Sequence, residues 1–255
     1  MKVSIVTATF NSAKTVKDTI ESVLSQTYQN FEHIIIDGGS RDETMSIVKS
    51  YEPLYNGRLR YISEPDEGIY NAMNKGLKMA SGDIVGTLNS DDFYADNTVL
   101  ESIVAPFSDK SLECIFGKLN LVDEKDLTKV IRESNSGAYY EKAFWKGWHP
   151  AHPTFYAKTD CYKKYGYFNE TLKIASDFEL LFRFLEKNKS KSKFIDKVLV
   201  LQRAGGASTR LSGYIKGNLE VVKSFELNGM KAGIFYIPKR IFPKLINAIK
   251  NKIGG

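Results

Sequence analysis

Two adjacent carboxylates, Asp91 and Asp92, end the run Asn-Ser-Asp-Asp at 89–92, which follows an apolar segment. Hard oxygen ligands of this kind suit Mg²⁺ or Mn²⁺ that is shared with substrate phosphates, rather than a closed protein cage. Alternatively, one carboxylate only begins the next helix, where negative charge is favourable. Because Asp96 and Asn97 are better placed to cap that helix, we favour a metal site.

A third carboxylate, Asp177, lies in the segment Ala-Ser-Asp-Phe-Glu at 175–179. Ser176 and Glu179 have the spacing of a capping box, in which Asp177 is the first helical residue. Stabilisation of that helix would fully account for Asp177. An ionised carboxylate in a cleft could equally take a proton from a hydroxyl as a general base. Spacing alone does not decide between these two interpretations.

Asp37 ends another apolar run and is followed by Gly38, Gly39 and Ser40. Its carboxylate could accept hydrogen bonds from a nucleotide base or from ribose hydroxyls, and the glycines permit close approach of the backbone. The same residues are favoured by turn chemistry alone. Both interpretations of this segment stay open.

Alternating strands and helices position these side chains. Apolar, β-branched runs predict strands at 2–9, 31–37, 58–63 and 83–88. Helices are predicted to begin at Asn11 or Ser12, at a capping box at 40–43, and near Gly68. Strands that alternate with helices indicate a parallel sheet, and ligands of such sheets bind beyond the carboxyl ends of the strands.

The second half of the chain has a less regular pattern. We predict short strands within 114–132, a helix at 176–187, a strand at 197–202 and a helix at 211–227. No internal repeat or linker interrupts the chain. The predicted fold is therefore α/β, a Rossmann-like, mostly parallel sheet flanked by helices at 1–226, followed by a C-terminal tail at 227–255.

The formal net charge of +6 is a property of that tail, which has six basic residues and no acidic residue. The first 226 residues carry 30 charges of each sign, which argues against a nucleic-acid partner. From Pro238 onward apolar residues recur every three or four positions between lysines. A basic amphipathic helix of this kind can lie on an anionic membrane. The alternative is a helix that packs on the domain, and both remain open.

Composition excludes several classes of protein. With 255 residues and 42% hydrophobic residues, the chain can bury a substantial core, so disorder is excluded. Its two cysteines fit neither a metal-site spacing nor a disulfide scaffold, which indicates a reducing compartment. No apolar run approaches the ~20 residues of a membrane span. We expect a soluble, cytoplasmic protein, which the membrane-binding alternative for the tail would place on the inner face of the cell membrane.

Three stretches of this sequence, at 3–44, 64–94 and 152–184, resemble the family 2 inverting, nucleotide-sugar-dependent glycosyltransferases, in the family's order. The resemblance is to members that build bacterial envelope polysaccharides and O-antigens, and it implies a GT-A type fold. Asn89 stands where the family usually has the first aspartate of its Asp-x-Asp motif.

The resemblance assigns roles to individual residues. It implies that Asp177 is the catalytic base and that Asp91 holds the Mn²⁺ or Mg²⁺ cofactor. The residues that it places around the nucleotide-sugar are Thr7, Ala8, Thr9, Phe10, Asp37, Asp66, Gly68, Asn71, Asn74, Asn89, Ser90 and Asp92. Trp148, His152 and Arg203 would fall on the acceptor side. A core tryptophan and a Gly-rich turn after Arg203 are the alternatives there.

The implied reaction is a single displacement at the anomeric carbon. It moves a hexosyl or N-acetylhexosaminyl group from a nucleotide-sugar, in the first instance a UDP-sugar, to a hydroxyl of a glycan or lipid-linked glycan. A nicotinamide oxidoreductase is excluded because the first turn, Thr-Phe-Asn-Ser, lacks Gly-x-Gly-x-x-Gly. A non-catalytic nucleotide-sugar-binding module on the same fold is the alternative function.

Overall fold

The computed structural model describes residues 1–133, 137–205, 211–233 and 236, and their strands form one mixed sheet. The strands are β1 Val3–Thr9, β2 Phe31–Asp37, β3 Leu59–Ser63, β4 Ile84–Thr87, β5 Phe93–Tyr94, β6 Cys114–Val122, β7 Val130–Glu133, β8 Tyr156–Lys158 and β9 Ser192–Arg203. The helices are α1 Val16–Leu24, α2 Thr44–Tyr51, α3 Ile69–Met79, α4 Val99–Val104, α5 Thr159–Tyr165, α6 Ser176–Phe182 and α7 Leu211–Leu227. A π-helical turn, Arg183–Lys187, continues α6.

The sheet has the strand order β3-β2-β1-β4-β8-β6-β9-β5, and β7 pairs with β6. The first four strands in this order are parallel, as the alternating pattern predicts. β8 is antiparallel to both β4 and β6, whereas β6 and β9 are parallel. As a result β1, β4 and β9 all end at the same edge of the sheet. The α/β fold is confirmed, and every antiparallel pair includes at least one strand of the second half.

Hydrophobic residues on both faces of the sheet are buried beneath helices. Along β1, Val6 and Ala8 belong to the cluster under α3 and α6, whereas Val3 and Ile5 belong to the cluster under α1 and α4. This alternation follows from the two-residue period of a strand. All seven side chains of β1 are buried, which explains the continuous apolar run.

The two predicted N-terminal caps of α1 and α2 are wrong. Neither helix has a side-chain cap. Asn11 instead adopts φ 49° and accepts a hydrogen bond from the Arg41 N–H at 2.9 Å. Asp42 accepts from the Ala13 N–H at 3.1 Å. These polar side chains connect the two loops after β1 and β2, so they shape the sheet edge rather than the helix ends.

The C-terminal helix α7 has the predicted bounds, and the described part of the tail packs against the domain, with Tyr236 buried. The Trp145 Nε1–H donates to the Lys231 carbonyl at 2.9 Å, and the Tyr236 ring lies 5.0 Å from the Phe225 ring. The amphipathic helix predicted from Pro238 onward lies outside the described residues. Within the residues that the structure describes, no helix is long and apolar enough to cross a membrane.

Candidate active site

A cleft of about 1210 Å³ opens at the edge of the sheet where β1, β4 and β9 end. Of the residues predicted from the sequence, those that line it are Ala8, Thr9, Phe10, Asp66, Gly68, Asn89, Ser90, Asp91, His152, Asp177 and Arg203. They come from both halves of the chain. The structure therefore brings the two predicted catalytic carboxylates, Asp91 and Asp177, to one cavity.

The floor of the cleft is the turn after β4, in which Asp91 and Asp92 have different environments. Asp91 is half-buried and lines the cleft, whereas Asp92 is fully buried behind it. The Asp92 Oδ2 accepts hydrogen bonds from Asn89 Nδ2 at 2.9 Å and from Gln202 Nε2 at 3.4 Å. Burial, with the charge of Asp91, raises the pKa of Asp92 to about 7. Asp92 therefore supports the floor and does not line the cavity.

The residues at this turn fit a divalent cation. Asp91 offers a carboxylate to the cleft, and Asp92 Oδ1, directly behind, is buried without a hydrogen-bond partner. No cluster of three His, Cys, Asp or Glu side chains around one point occurs in the described part of the chain. A cation on Asp91 would therefore take its other ligands from substrate phosphates and water, as Mg²⁺ commonly does.

Arg203, at the end of β9, lies beside this turn. It is 8% exposed and donates from Nη1 to the Asp91 carbonyl at 2.6 Å. Its Nη2 forms an ion pair with Asp18 of α1, and its guanidinium lies 5.0 Å from the Phe93 ring centroid. Arg203 was predicted on the acceptor side; it lines the cleft and contacts the backbone of the predicted metal ligand, Asp91.

The predicted capping box of α6 is wrong. Ser176 Oγ is buried without a hydrogen-bond partner, and the helix has no side-chain cap. Glu179 is instead engaged by Arg183, at 2.8 Å, and by Asn228 Nδ2, at 2.9 Å. The half-buried Asp177 lines the cleft and accepts a hydrogen bond from the Phe178 N–H at 2.7 Å. Asp177 thus lies in the first turn of α6 and also lines the cleft.

Two neutral polar groups lie near Asp177. The Tyr70 hydroxyl is 3.4 Å from Asp177 Oδ1 and 2.8 Å from the Ile174 carbonyl. Burial raises the pKa of Tyr70, and the charge of Asp177 raises it further. This phenol therefore keeps its proton. Burial lowers the pKa of His152, although the charge of Asp177 partly opposes the shift. His152 is therefore neutral at pH 7, and its Nε2 lies 3.4 Å from Thr87 Oγ1.

Two residues of the predicted nucleotide pocket, Asp37 and Thr7, are buried behind the cleft. Asp37 accepts hydrogen bonds from the N–H groups of Gly39 and Ser40, and from Ser63 Oγ at 2.6 Å. Thr7 Oγ1 lies 3.0 Å from Nε2 of a buried histidine. Both side chains therefore fix the strand ends from which the exposed residues project.

Gly38 brings two cleft residues together. A Cβ atom at this position would lie 2.5 Å from Asp66 Oδ2 and 3.4 Å from the Phe10 ring. Since such a short separation is not tolerated, a side chain here would displace Asp66. The Phe10 side chain is 60% exposed at the same place. Because Gly38 has no side chain, the Asp66 carboxylate and the exposed Phe10 ring can lie side by side.

Three further predicted residues, Asn71, Asn74 and Trp148, do not line the cleft. Asn71 and Asn74 donate hydrogen bonds to Glu170, at 2.8 and 2.6 Å, and so attach α3 to the segment before α6. Trp148 packs against four aromatic rings, including Phe116 and Phe144. Trp148 therefore has the aromatic neighbours that a core tryptophan would have.

Several lining residues were not predicted from the sequence. They include Ser12, Lys14, Asp42, Tyr70, Arg132, Lys173 and Gln202. Ser12 Oγ lies 2.9 Å from Ser90 Oγ, which joins the loops after β1 and β4. Ser12 and Tyr70 belong to segments that carry the family resemblance and could have been chosen from it. Arg132 and Gln202 lie on strands of the irregular second half, where no motif marks them.

Comparison with known sequences identifies one family model and several relatives. The Glycosyl transferase family 2 model matches residues 4–166, which include Asp91 but not Asp177. An uncharacterized glycosyltransferase of Rickettsia typhi is 29% identical over 213 residues, which are 81% of this chain and 65% of that protein. A PGL/p-HBAD biosynthesis glycosyltransferase of Mycobacterium bovis is 34% identical over 102 residues, 40% of each chain. This chain thus spans less than two thirds of the length of these relatives.

Solved structures share the fold. TarS 1-349 of S. aureus in complex with UDP superposes with a TM-score of 0.67 at 21% identity, over 89% of this chain and 65% of that one. The mannosyltransferase PcManGT of Pyrobaculum calidifontis, in complex with GDP-Man and Mn²⁺, has a TM-score of 0.66 at 18% identity, over 88% and 63%. At these identities the likeness concerns the fold alone.

Proposed function

We propose that this chain, which belongs to glycosyl transferase family 2, moves a sugar from a nucleotide-sugar to an acceptor hydroxyl with inversion at the anomeric carbon. One observation carries the proposal: a single cleft is lined both by Asp91, after β4, and by Asp177, at the start of α6. A carboxylate that can hold a cation and a carboxylate that can take a proton are the two groups that such a displacement needs.

In the proposed mechanism, Asp177 removes the proton of the acceptor hydroxyl while its oxygen attacks the anomeric carbon. The bond between that carbon and the diphosphate oxygen breaks at the same time. Asp91 would hold the Mn²⁺ or Mg²⁺, which supplies electrostatic stabilisation of the diphosphate. Arg203 fixes the Asp91 backbone and adds a positive charge on the same side. No acid is required, in contrast to a glycosidase, which must protonate its leaving group.

The donor is, in the first instance, a UDP-sugar that carries a hexosyl or N-acetylhexosaminyl group. Support comes from the fold shared with TarS, which has been captured with UDP and with UDP-GlcNAc. PcManGT, with GDP-Man, makes GDP-sugars the next class to examine. Ala8, Thr9, Phe10 and Asp66 belong to the predicted nucleotide-sugar pocket, and all four line the cleft.

A thermal-shift screen of nucleotide-sugars with Mn²⁺ tests the proposed donor. A ligand at about 100 times its dissociation constant stabilises the folded state by roughly 2.7 kcal/mol. We expect one class of nucleotide to raise the melting temperature. The same nucleotide carrying the correct sugar should raise it further. Free sugars serve as the control. If no nucleotide-sugar shifts the melting temperature, the proposed donor class is wrong.

We further propose that the acceptor is a glycan or lipid-linked glycan of the cell envelope and that the tail brings the enzyme to the cytoplasmic face of the membrane. Five of the six basic residues of the tail follow Tyr236, with no acidic residue among them. Each Lys or Arg near an anionic surface contributes about 1 kcal/mol, and salt screens the attraction.

Flotation with liposomes tests this role of the tail. The full chain is compared with a chain that ends at Tyr236, which keeps the contact of Tyr236 with Phe225. We expect the full chain to float with anionic vesicles, less at high salt, and the shortened chain to stay in the soluble fraction. Neutral vesicles are the control. Equal flotation of both chains would contradict the proposal.

A further inference from the structure

Glu220 of α7 binds the backbone segment that leads into α6. This side chain is 9% exposed, and its carboxylate accepts hydrogen bonds from three successive N–H groups. They are those of Lys173 at 3.1 Å, Ile174 at 2.7 Å and Ala175 at 3.0 Å. Hydrogen bonds to a charged acceptor are stronger than neutral ones. One side chain therefore fixes the path of three consecutive residues.

The same segment is held from the opposite side. The Ile174 carbonyl accepts a hydrogen bond from the Tyr70 hydroxyl of α3 at 2.8 Å. On the α7 side, a Cβ atom at Gly217 would lie 3.1 Å from Ile174 Cγ2, so the helix backbone closely approaches this residue. Ile174 is thus clamped between α3 and α7, three residues before Asp177.

A second contact links α7 to the body of α6. Asn228, just beyond the last residue of α7, donates from Nδ2 to Glu179 Oε1 at 2.9 Å. Arg183 engages the same Glu179 at 2.8 Å. Since α7 binds both the approach to α6 and the helix itself, its position determines where the first turn of α6 lies.

We propose that Glu220 is a positioning residue for the reaction. It holds the start of α6 so that the Asp177 carboxylate faces the cleft. This inference rests on the proposed role of Asp177 as the base. Neither Glu220 nor α7 belongs to the region that the family model matches, and Glu220 does not line the cleft. Its effect on the reaction must therefore pass through the segment 173–175.

Glu220→Gln in the full chain tests the proposal. The amide has one acceptor oxygen instead of two, so at least one of the three N–H groups loses its partner while the shape of the side chain is kept. A displacement of a catalytic group by about 1 Å can cost 10²-fold in rate. We expect kcat to fall on the order of 10- to 100-fold and the donor Kd to stay within about twofold, because every predicted donor residue lies outside the segment 173–175.

Glu226→Gln is the matched control, since Glu226 lies exposed on the same helix. It should keep the wild-type kcat. The decisive readout is the double variant Glu220→Gln with Asp177→Asn. If Glu220 acts through Asp177, the double variant has the residual rate of Asp177→Asn alone, because coupled residues are non-additive. Losses that multiply would overturn the proposal, as would an unchanged kcat in the single variant.

Gly217→Ala keeps the carboxylate and tests the same clamp if Glu220→Gln does not fold. The added methyl group presses on Ile174, whereas alanine itself favours the helix. We expect a lower kcat without a lower melting temperature, and a wild-type kcat would overturn the proposal. Full transfer by Asp177→Asn alone would instead refute the proposed base, so the two failures are distinguishable.

Discussion

Asp177→Asn is expected to lower the rate of transfer by about 10²- to 10⁴-fold, the usual contribution of a general base. The amide has nearly the shape of the carboxylate, and its oxygen can still accept the Phe178 N–H hydrogen bond. It cannot take the proton of the acceptor hydroxyl. The variant should therefore fold and bind donor with the wild-type affinity. Released nucleotide measures the rate, and calorimetry measures donor binding.

Asp160→Asn is the control for this variant. Asp160 also lies in the first turn of a short helix, α5, but its side chain is 88% exposed and pairs with Lys163 at the surface. Its replacement should leave transfer unchanged. If Asp177→Asn transfers sugar normally and only melts at a lower temperature, the helix-end interpretation is correct and Asp177 is not the base.

The second large effect is expected for Asp91→Ala. Nucleotide-sugar binding should weaken on the order of 100-fold or more, because a cation on Asp91 would offset several kcal/mol of repulsion between the diphosphate and the acidic turn. Chelation with EDTA should weaken donor binding by the wild-type protein to a similar extent. Calorimetric titration of both proteins, with and without Mn²⁺, measures the effect.

Asp196→Ala is the matched control, since Asp196 is 75% exposed and pairs with Lys118 on the surface. It should bind donor like the wild type and respond to Mn²⁺ in the same way. Donor binding by Asp91→Ala should instead be independent of Mn²⁺. An affinity that neither EDTA nor Asp91→Ala changes would refute the metal assignment.

The sheet of the first half could be predicted from the sequence because its signals are local. The strands β1 to β4 are short, largely apolar runs, and the helices α1 and α3 between them each have an apolar face. The second half depends on contacts between distant residues. β8 has three residues, and its place between β4 and β6 follows from pairing with Ile84 to Gly86 and with Cys114 and Ile115.

The candidate site also depends on contacts between residues that are distant in the sequence. The sequence identifies the acidic pair Asp91 and Asp92, but the turn geometry decides which carboxylate reaches the cleft. Glu179 has the spacing of a capping residue, yet its side chain binds Arg183 and a residue 49 positions away, Asn228. Arg203 contacts Asp91 across 112 positions. Such contacts depend on strand order and helix packing, which local patterns do not encode.

The configuration at the anomeric carbon of the transferred sugar tests the central proposal most directly. The wild-type protein is incubated with Mn²⁺, with the donor found by thermal shift and with a panel of glycan and lipid-linked glycan acceptors, and the product is analysed by NMR. A single displacement with Asp177 as base predicts one released nucleotide per transferred sugar and an inverted configuration. A product of retained configuration, or a bound donor that stays intact with every acceptor, would contradict the proposed function.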